Sequence, residues 1–316
     1  MERSSKTAES VNDGSKSPNV RHAHVLVAAV LLMLAWLAVN AIWGITSTEP
    51  TMIAGWLARV AGLGSWAGLL TATIAVALGY GMWRRTRSLA GLSLMLLAYL
   101  AGVAAGESLR DLAQAGILSG MAGRSGALAD RAFLLFPVLP MLAAAWLTDR
   151  NLARYPLRIG RWHGAVTSNS ADNPTRLWGL WFGMWLLAIF LPLVLMMQAS
   201  VNFMPVTSGR LWSALAPLTL LALLNAVGEE LVFRGLVLPS LIPLTGTTSA
   251  LWLQGVFFGL HHWGSSPNPV SGLSMAVVLT FVAYLWGRSV LQTRGLAWAV
   301  LTHMSLDCAL FWAHFV

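Results

Sequence analysis

The sequence predicts an all-α, polytopic integral membrane protein with eight or nine transmembrane helices, and three observations predict this fold class. Of the 316 residues, 57% are hydrophobic and only 10% are charged, whereas charged residues make up about 25% of a typical soluble domain. The mean hydropathy is +0.67. Apolar runs that approach the length needed to cross a bilayer recur along the chain, at residues 25–46, 65–83, 89–107, 128–148, 177–198, 212–240, 248–264, 270–287 and 296–315.

The basic residues predict how these runs are oriented. The net charge is +8, but most Arg and Lys residues lie in short segments beside apolar runs, where they act as topology signals. We therefore expect the basic residues to lie at the surface of a lipid bilayer, and we expect the protein not to bind nucleic acid. Nine crossings from a cytoplasmic N-terminus place four basic segments on one side: 1–22, 84–88, 149–176 and 288–295. This pattern favours the plasma (inner) membrane with the N-terminus in the cytoplasm.

Polarity divides the chain into four parts. They are a disordered cytoplasmic tail, 1–22, an N-terminal four-helix membrane region, 23–148, an Arg-rich cytoplasmic loop, 149–176, and a second membrane region, 177–316. The first membrane region offers few candidates for chemistry. Its charged groups, Glu107 with Arg110 and Asp130 with Arg131, are interpreted as boundary charges at helix ends.

The stretch Asn225–Gly235 places three ionisable side chains inside an otherwise apolar run. A charge at the centre of a bilayer helix costs about 2.5–3.5 kcal/mol on insertion scales, so such residues indicate a functional site. Residues four apart share one helix face, so Glu230 can pair with Arg234. Glu229 points elsewhere and has no local cation. An unpaired carboxylate in a poorly hydrated pocket suits a general base.

Two histidine sites follow in the same region. His261 and His262 are adjacent and point about 100° apart on a helix, so only one is expected to meet Glu229. His303 and Asp307 are four apart, so either Asp307 fixes the tautomer of His303 or both project into one pocket. A single membrane histidine is more often an interhelical hydrogen bonder. Three polar sites on successive helical segments instead favour a catalytic or ion-handling pocket.

The depths of these residues present a difficulty. Counting along the runs places Glu229 near the inner end of 212–240 and His262 near the outer end of 248–264. The two side chains meet only if a helix is broken, tilted or re-entrant, and Pro217, Pro239 and Pro243 provide places for a break. One helix from Pro217 to Leu238 is the alternative.

The three motifs together resemble the CPBP family of intramembrane glutamic endopeptidases, also called the CAAX prenyl protease 2-like (Rce1-like) or Abi family. The family pattern is Glu-Glu-x-x-x-Arg, then Phe-x-x-x-His, then His-x-x-x-Asn or Asp, and the resemblance covers roughly 211–316. The matching residues are Glu229, Glu230, Arg234, Phe258, His262, His303 and Asp307. Asp307 stands where the prenyl proteases have Asn. The doubled histidine makes His261 a rival to His262.

The resemblance implies roles for these residues, within a catalytic domain at 177–316. Glu229 and His262 would activate a water that attacks a peptide carbonyl, while His303 and Asp307 would hold the oxyanion or orient the water. The remaining three matching residues, Glu230, Arg234 and Phe258, would support the site structurally. Glu230 and Arg234 would do so by bracing their helix.

The resemblance also bears on cofactors, partners and competing functions. It implies a metal-free site, with zinc on Glu229, His262 and His303 as a less favoured alternative. The implied substrate is a membrane-associated protein or peptide, and the oligomeric state is not indicated. A non-enzymatic membrane scaffold or bacteriocin-immunity protein of the same fold is the alternative function. A proton-coupled transporter is less favoured, because we find no internal inverted repeat.

Overall fold

The computed structural model describes residues 18–46, 64–116, 128, 131–161, 181–189, 208–263 and 269–311. Within them the helices are α1 (Pro18–Thr46), α2 (Gly64–Trp83), α3 (Arg87–Ala115), α4 (Val138–Thr148), α5 (Ser208–Glu230), a π-helical segment (Leu231–Val237), α6 (Leu238–Thr245), α7 (Thr247–His261), α8 (Pro269–Thr293) and α9 (Ala297–Phe311). Residues 181–189 are also helical. Every regular element of this described part is helical, so the all-α prediction is confirmed.

Five described helices are long and apolar enough to cross a membrane. They are Arg21–Ile42, Arg87–Ala113, Arg131–Thr148, Leu215–Thr245 and Val270–Thr293, while Ala67–Trp83 and Ala297–Phe311 are shorter apolar helices. The chain is thus an integral membrane protein, and a count of eight or nine spans stays a prediction. Residues 1–17, 162–180 and 190–207 lie outside the described part. They include most of the predicted tail, half of the Arg-rich loop and most of the run 177–198.

Two structural features bear on the sequence-based division. Helix α1 begins at Pro18, inside the stretch 1–22 that we predicted to be a tail. The apolar core also extends across both membrane regions, because one cluster of buried side chains joins α1, α3 and α4 to α6, α7 and α8. The two regions therefore pack against each other as parts of one core.

The described basic segments gather at one end of the helix bundle. The carbonyl of Arg158 accepts a hydrogen bond from the amide of Leu296 at 2.8 Å, and the amide of Arg161 donates to the carbonyl of Thr293 at 2.8 Å. Gly91, just after the 84–88 segment, lies against Arg154. Segments that carry the topology signal thus lie together, as their expected placement on one side of the membrane requires.

The helix that carries Glu229 resolves the difficulty with depth. It continues without a break through the π-helical segment to Thr245, so Glu229 lies about 24 Å from that end at 1.5 Å per residue. Helix α7 starts just beyond, at Thr247, and its 15 residues rise about 22 Å to His261. Glu229 and His262 therefore reach the same depth. The end predicted at residue 240 was too early, and no break at the prolines is needed.

Helices α7 and α8 pack backbone to backbone at Gly259. A Cβ atom at this position would lie 2.3 Å from the carbonyl oxygen of Ala276 and 2.4 Å from the Thr280 hydroxyl. Small residues permit such close approach between membrane helices. The contact holds the C-terminal end of α7, and hence the histidine pair, at a fixed position beside α8.

This contact gives a prediction for stability. Gly259→Ala is expected to lower the free energy of unfolding by about 1–3 kcal/mol, since the added methyl group forces two helices apart. The matched control is Gly79→Ala in α2, where a Cβ atom meets nothing within 4 Å; alanine is there expected to stabilise by up to about 1 kcal/mol. Unfolding in detergent measures both. Equal stability of the two variants would contradict the packing described.

Candidate active site

Glu229 is the acid that faces open space. Its Oε2 atom lies 3.8 Å from Nε2 of His262 and 3.6 Å from Nε2 of His303. Both distances exceed that of a direct hydrogen bond, and the side chain keeps 20% of its surface exposed. Two of the predicted imidazoles thus converge on the predicted base, from α9 and from the C-terminal end of α7.

Glu230 and Arg234 form the dry side of the site. Nη1 of Arg234 lies 3.0 Å from Oε1 of Glu230, and both side chains are fully buried, which confirms the predicted pair. The same Oε1 atom accepts a hydrogen bond from Nδ1 of His303 at 2.9 Å. Glu230 therefore does more than brace its helix. It fixes the ring of His303, a role that the sequence assigned to Asp307 or left open.

Aromatic rings enclose this ion pair and the imidazole. The guanidinium carbon of Arg234 lies 4.2 Å from the ring centre of Phe258 and 5.1 Å from that of Trp286. Trp286 stacks on His303 with ring centres 4.3 Å apart. The flat guanidinium and imidazole faces therefore gain cation–π and stacking contacts that partly replace lost hydration. Phe258, which the motif singled out, contacts this pair, and so does Trp286 on α8, which the sequence did not single out.

The two adjacent histidines have different surroundings. Nε2 of His262 faces Glu229, and its Nδ1 atom donates to the carbonyl of Phe258 at 2.9 Å. His261 instead bonds to the hydroxyl of Tyr99 at 3.0 Å and to the carbonyl of Phe257 at 2.7 Å. The roughly 100° between adjacent helical residues sends them to different neighbours. Geometry therefore favours His262 over its rival His261 as the partner of Glu229.

Asp307 joins the site through a residue that the sequence did not single out for a role. Its Oδ2 atom accepts a hydrogen bond from Nδ2 of Asn225 at 2.9 Å and lies 3.5 Å from Nε2 of His303. Oδ1 of Asn225 in turn accepts from Nη1 of Arg131 at 3.1 Å. Arg131, which we interpreted as a boundary charge, begins its span and also contacts this cluster. The available signal was that Asn225 precedes Glu229 by four residues and shares its helix face.

A cavity of about 380 Å³ opens beside these groups. Its polar lining includes Tyr99, Glu107, Arg131, Asn225, Glu229, His261, His262 and Asp307, and its apolar walls include Val103, Phe133, Leu134, Pro137, Leu310 and Phe311. Much of this wall comes from α3 and from the span Arg131–Thr148. The N-terminal membrane region, which seemed poor in functional candidates, thus builds one side of the cavity.

The charges of the cluster nearly balance. Three carboxylates, on Glu229, Glu230 and Asp307, meet two guanidinium groups, on Arg131 and Arg234. A carboxylate that accepts hydrogen bonds and faces cations can persist in a poorly hydrated interior, whereas an isolated one cannot. One further proton on the imidazoles brings the cluster to neutrality.

The donor atoms of the three candidate zinc ligands, Glu229, His262 and His303, lie near one another but are not in direct contact. Oε2 of Glu229 sits between two imidazole Nε2 atoms at 3.6 and 3.8 Å. Among the residues that the structure describes, no group of three or more His, Cys, Asp or Glu side chains has the spacing to hold a metal ion. The other carboxylate near Nε2 of His303 belongs to Asp307, which already accepts a hydrogen bond from Asn225.

Comparison with protein-family models matches residues 210–309 to the type II CAAX prenyl endopeptidase Rce1-like family. No curated protein and no solved structure gives a match. The matched range contains all three motifs, from Asn225 to Asp307. The family is one of membrane proteases, in agreement with the apolar helices. Residues 210–309 of this chain are thus similar to the Rce1-like family of type II CAAX prenyl endopeptidases.

Proposed function

We propose that this protein is a metal-independent intramembrane endopeptidase of the glutamic type. It cleaves a membrane-associated protein or peptide with a water that Glu229 and His262 activate. The observation that supports this proposal best is the placement of the Glu229 carboxylate 3.6–3.8 Å from two imidazole nitrogens, at the edge of the cavity. Separations of this size between polar atoms suit one bridging water.

The hydrogen bonds of His262 support its part in the reaction. A carbonyl oxygen only accepts, so Nδ1 of His262 carries the proton that bonds to Phe258, and Nε2 presents a lone pair toward Glu229. A water between them donates one proton to the carboxylate and one to the imidazole. Its oxygen lone pair is then directed into the cavity, where it attacks the peptide carbonyl, and Glu229 takes the proton as general base.

His303 supplies the matching positive group. Its Nδ1 atom donates to Glu230, while its Nε2 atom faces the carboxylates of Glu229 and Asp307. A proton on Nε2 satisfies these acceptors and completes the charge balance of the cluster. An N–H donor in that place stabilises the oxyanion that forms when the carbonyl is attacked. Asp307 accepts from Asn225, so we assign it to orientation and not to holding the oxyanion.

The proposal extends to orientation and substrate. The described basic segments lie at one end of the bundle, so that end faces the cytoplasm by the positive-inside rule. The membrane is the plasma (inner) membrane, and the chain crosses it eight or nine times.

The cavity volume of about 380 Å³ and its apolar walls suit a short extended segment of a peptide. The family description makes a prenylated CAAX peptide the first substrate to test.

The histidine pair gives a sharp test in the purified protein in liposomes. With a prenylated CAAX peptide and an unprenylated copy, mass spectrometry identifies the bond that is cut. His262→Gln is expected to lower kcat about a hundredfold or more, as loss of an acid–base group does. His261→Gln is expected to have a much smaller effect on kcat, because the ring nitrogens of His261 bond to the hydroxyl of Tyr99 and to the carbonyl of Phe257.

Three outcomes would contradict the proposal or one of its parts. Equal loss of kcat in the two variants would show that the geometry around Glu229 does not decide the chemistry. If 1,10-phenanthroline inhibits the wild type and added zinc restores its activity, the result would instead support a metal site on Glu229, His262 and His303. Absence of cleavage of either peptide by the wild type would refute a CAAX-type substrate.

A further inference from the structure

One guanidinium of the N-terminal membrane region reaches the site in the C-terminal one. Arg131 begins the span Arg131–Thr148, and its Nη1 atom donates to Oδ1 of Asn225 at 3.1 Å. Asn225 also contacts Asp307, since its Nδ2 atom donates to Oδ2 of Asp307 at 2.9 Å. That oxygen lies 3.5 Å from Nε2 of His303. Three contacts thus connect Arg131 to an imidazole beside Glu229.

The chemistry of the three groups allows a single orientation of the Asn225 amide. A guanidinium has only donors and an ionised carboxylate has only acceptors, so the amide must turn its oxygen to Arg131 and its nitrogen to Asp307. Asn225 and Asp307 are each only 4% exposed. A reversed amide would place its nitrogen against the guanidinium and its oxygen against the carboxylate, so that neither hydrogen bond forms. Arg131 and Asp307 therefore fix the orientation of the Asn225 amide together, and Arg131 holds its oxygen end.

The guanidinium itself is held in place from a second direction. Its central carbon lies 4.9 Å from the ring centre of Phe311, near the end of α9. Asp307 sits on that same helix, one turn before Phe311. Arg131 thus contacts both α5, through Asn225, and α9, through Phe311. These are the two helices that carry Glu229 and His303.

We propose that Arg131 is a positioning residue for peptide cleavage. Through Asn225 it holds the carboxylate of Asp307, which in turn keeps the ring of His303 aligned beside Glu229. The catalytic part of this inference rests on the proposed function, whereas the alignment of His303 is measurable without turnover. Arg131 lies outside the matched range 210–309, so the family match does not assign it a role.

Steady-state kinetics with the prenylated CAAX peptide test the proposal. Arg131→Gln is expected to lower kcat by about tenfold with KM nearly unchanged, because a misplaced group slows the chemical step more than binding. Arg131→Lys, which keeps the charge and a donor, is expected to recover part of the loss. Since Arg131 acts through Asn225, the double variant with Asn225→Ala should be no slower than Asn225→Ala alone.

Three results would overturn this assignment. A raised KM with normal kcat in Arg131→Gln would show that the guanidinium binds substrate directly. Additive losses in the double variant would show that Arg131 acts independently of Asn225. An equal loss in Arg150→Gln would show a general effect of removing a guanidinium, since Arg150 lies outside the cavity and stacks on Trp146 at 3.7 Å.

A second measurement does not depend on activity. NMR of ¹⁵N-histidine-labelled protein reports the ring nitrogens, and the His303 signals are identified by their loss in His303→Gln. Arg131→Gln is expected to shift the Nε2 signal of His303, while Arg150→Gln leaves it unchanged. If the wild type cleaves no peptide, the proposed function fails but this shift still decides the alignment. An unmoved His303 signal in Arg131→Gln refutes the inference outright.

Discussion

Replacement of Glu229 by Gln is expected to abolish peptide cleavage, with kcat lowered about a thousandfold, within the range for loss of a general base. Gln has the same shape but cannot accept the proton of the attacking water. Glu229→Asp keeps the acid and withdraws it by one methylene, so we expect an intermediate loss of about a hundredfold. Single-turnover assays in liposomes, with product identified by mass spectrometry, measure both variants.

The control for Glu229→Gln is another change of carboxylate to amide, Asp149→Asn. The Asp149 carboxylate accepts from the amides of Asn151 and Arg154 at 3.3 Å, in the segment after α4 and away from the cavity. The Asp149→Asn variant should cleave the peptide at the wild-type rate. Full activity in a well-folded Glu229→Gln protein would exclude the glutamic mechanism. A Glu229→Gln variant that keeps a cellular phenotype but cleaves nothing would point to the scaffold function.

Removal of the Arg234 guanidinium is expected to produce the largest loss of stability. Arg234→Met leaves the Glu230 carboxylate without its cation in a place where both side chains are fully buried. Breaking a buried ion pair on one side costs about 3–5 kcal/mol, because the remaining charge is uncompensated. We expect a corresponding drop in the free energy of unfolding, measured by denaturation in detergent, together with loss of cleavage as the His303 ring is released.

The double variant Glu230→Gln/Arg234→Met separates charge from packing. Removing both charges leaves no isolated ion, so it should be more stable than Arg234→Met by at least about 1 kcal/mol. Arg150→Met serves as the control at an exposed cation–π contact with Trp146, with an expected cost of up to about 1 kcal/mol. If the double variant were less stable than Arg234→Met, uncompensated charge would not be the cause of the loss.

The sequence predicted several local features because helical geometry alone sets them. The i,i+4 spacing of Glu230 and Arg234 sufficed to predict an ion pair that the structure places at 3.0 Å. The same reasoning separated Glu229 from Glu230 and His261 from His262 by about 100°. Sequence also predicted the helical fold class, since a bilayer allows few ways to satisfy backbone hydrogen bonds within the chain.

Depth in the membrane was less predictable. We placed Glu229 near the inner side of the membrane and His262 near the outer side, because an apolar run does not mark where a helix ends. The continuation to Thr245 crosses Pro239 and Pro243, which resemble breaking points in a sequence. The π-helical segment at Leu231–Val237 likewise has no sequence signal that we recognised. Such segments often occur at functional sites, and here one carries Arg234.

The amino-acid sequence by itself determined that the chain is helical and membrane-embedded, and it was sufficient to select Glu229, His262 and His303 as residues that share one site. Tertiary structure alone decided that Glu230 holds His303, that Tyr99 holds His261, and that Arg131 reaches Asp307 through Asn225. The physical reason lies in the bilayer. Lipid-facing and protein-facing sides of a membrane helix are both apolar, so the pattern along one helix does not specify which neighbour it packs against.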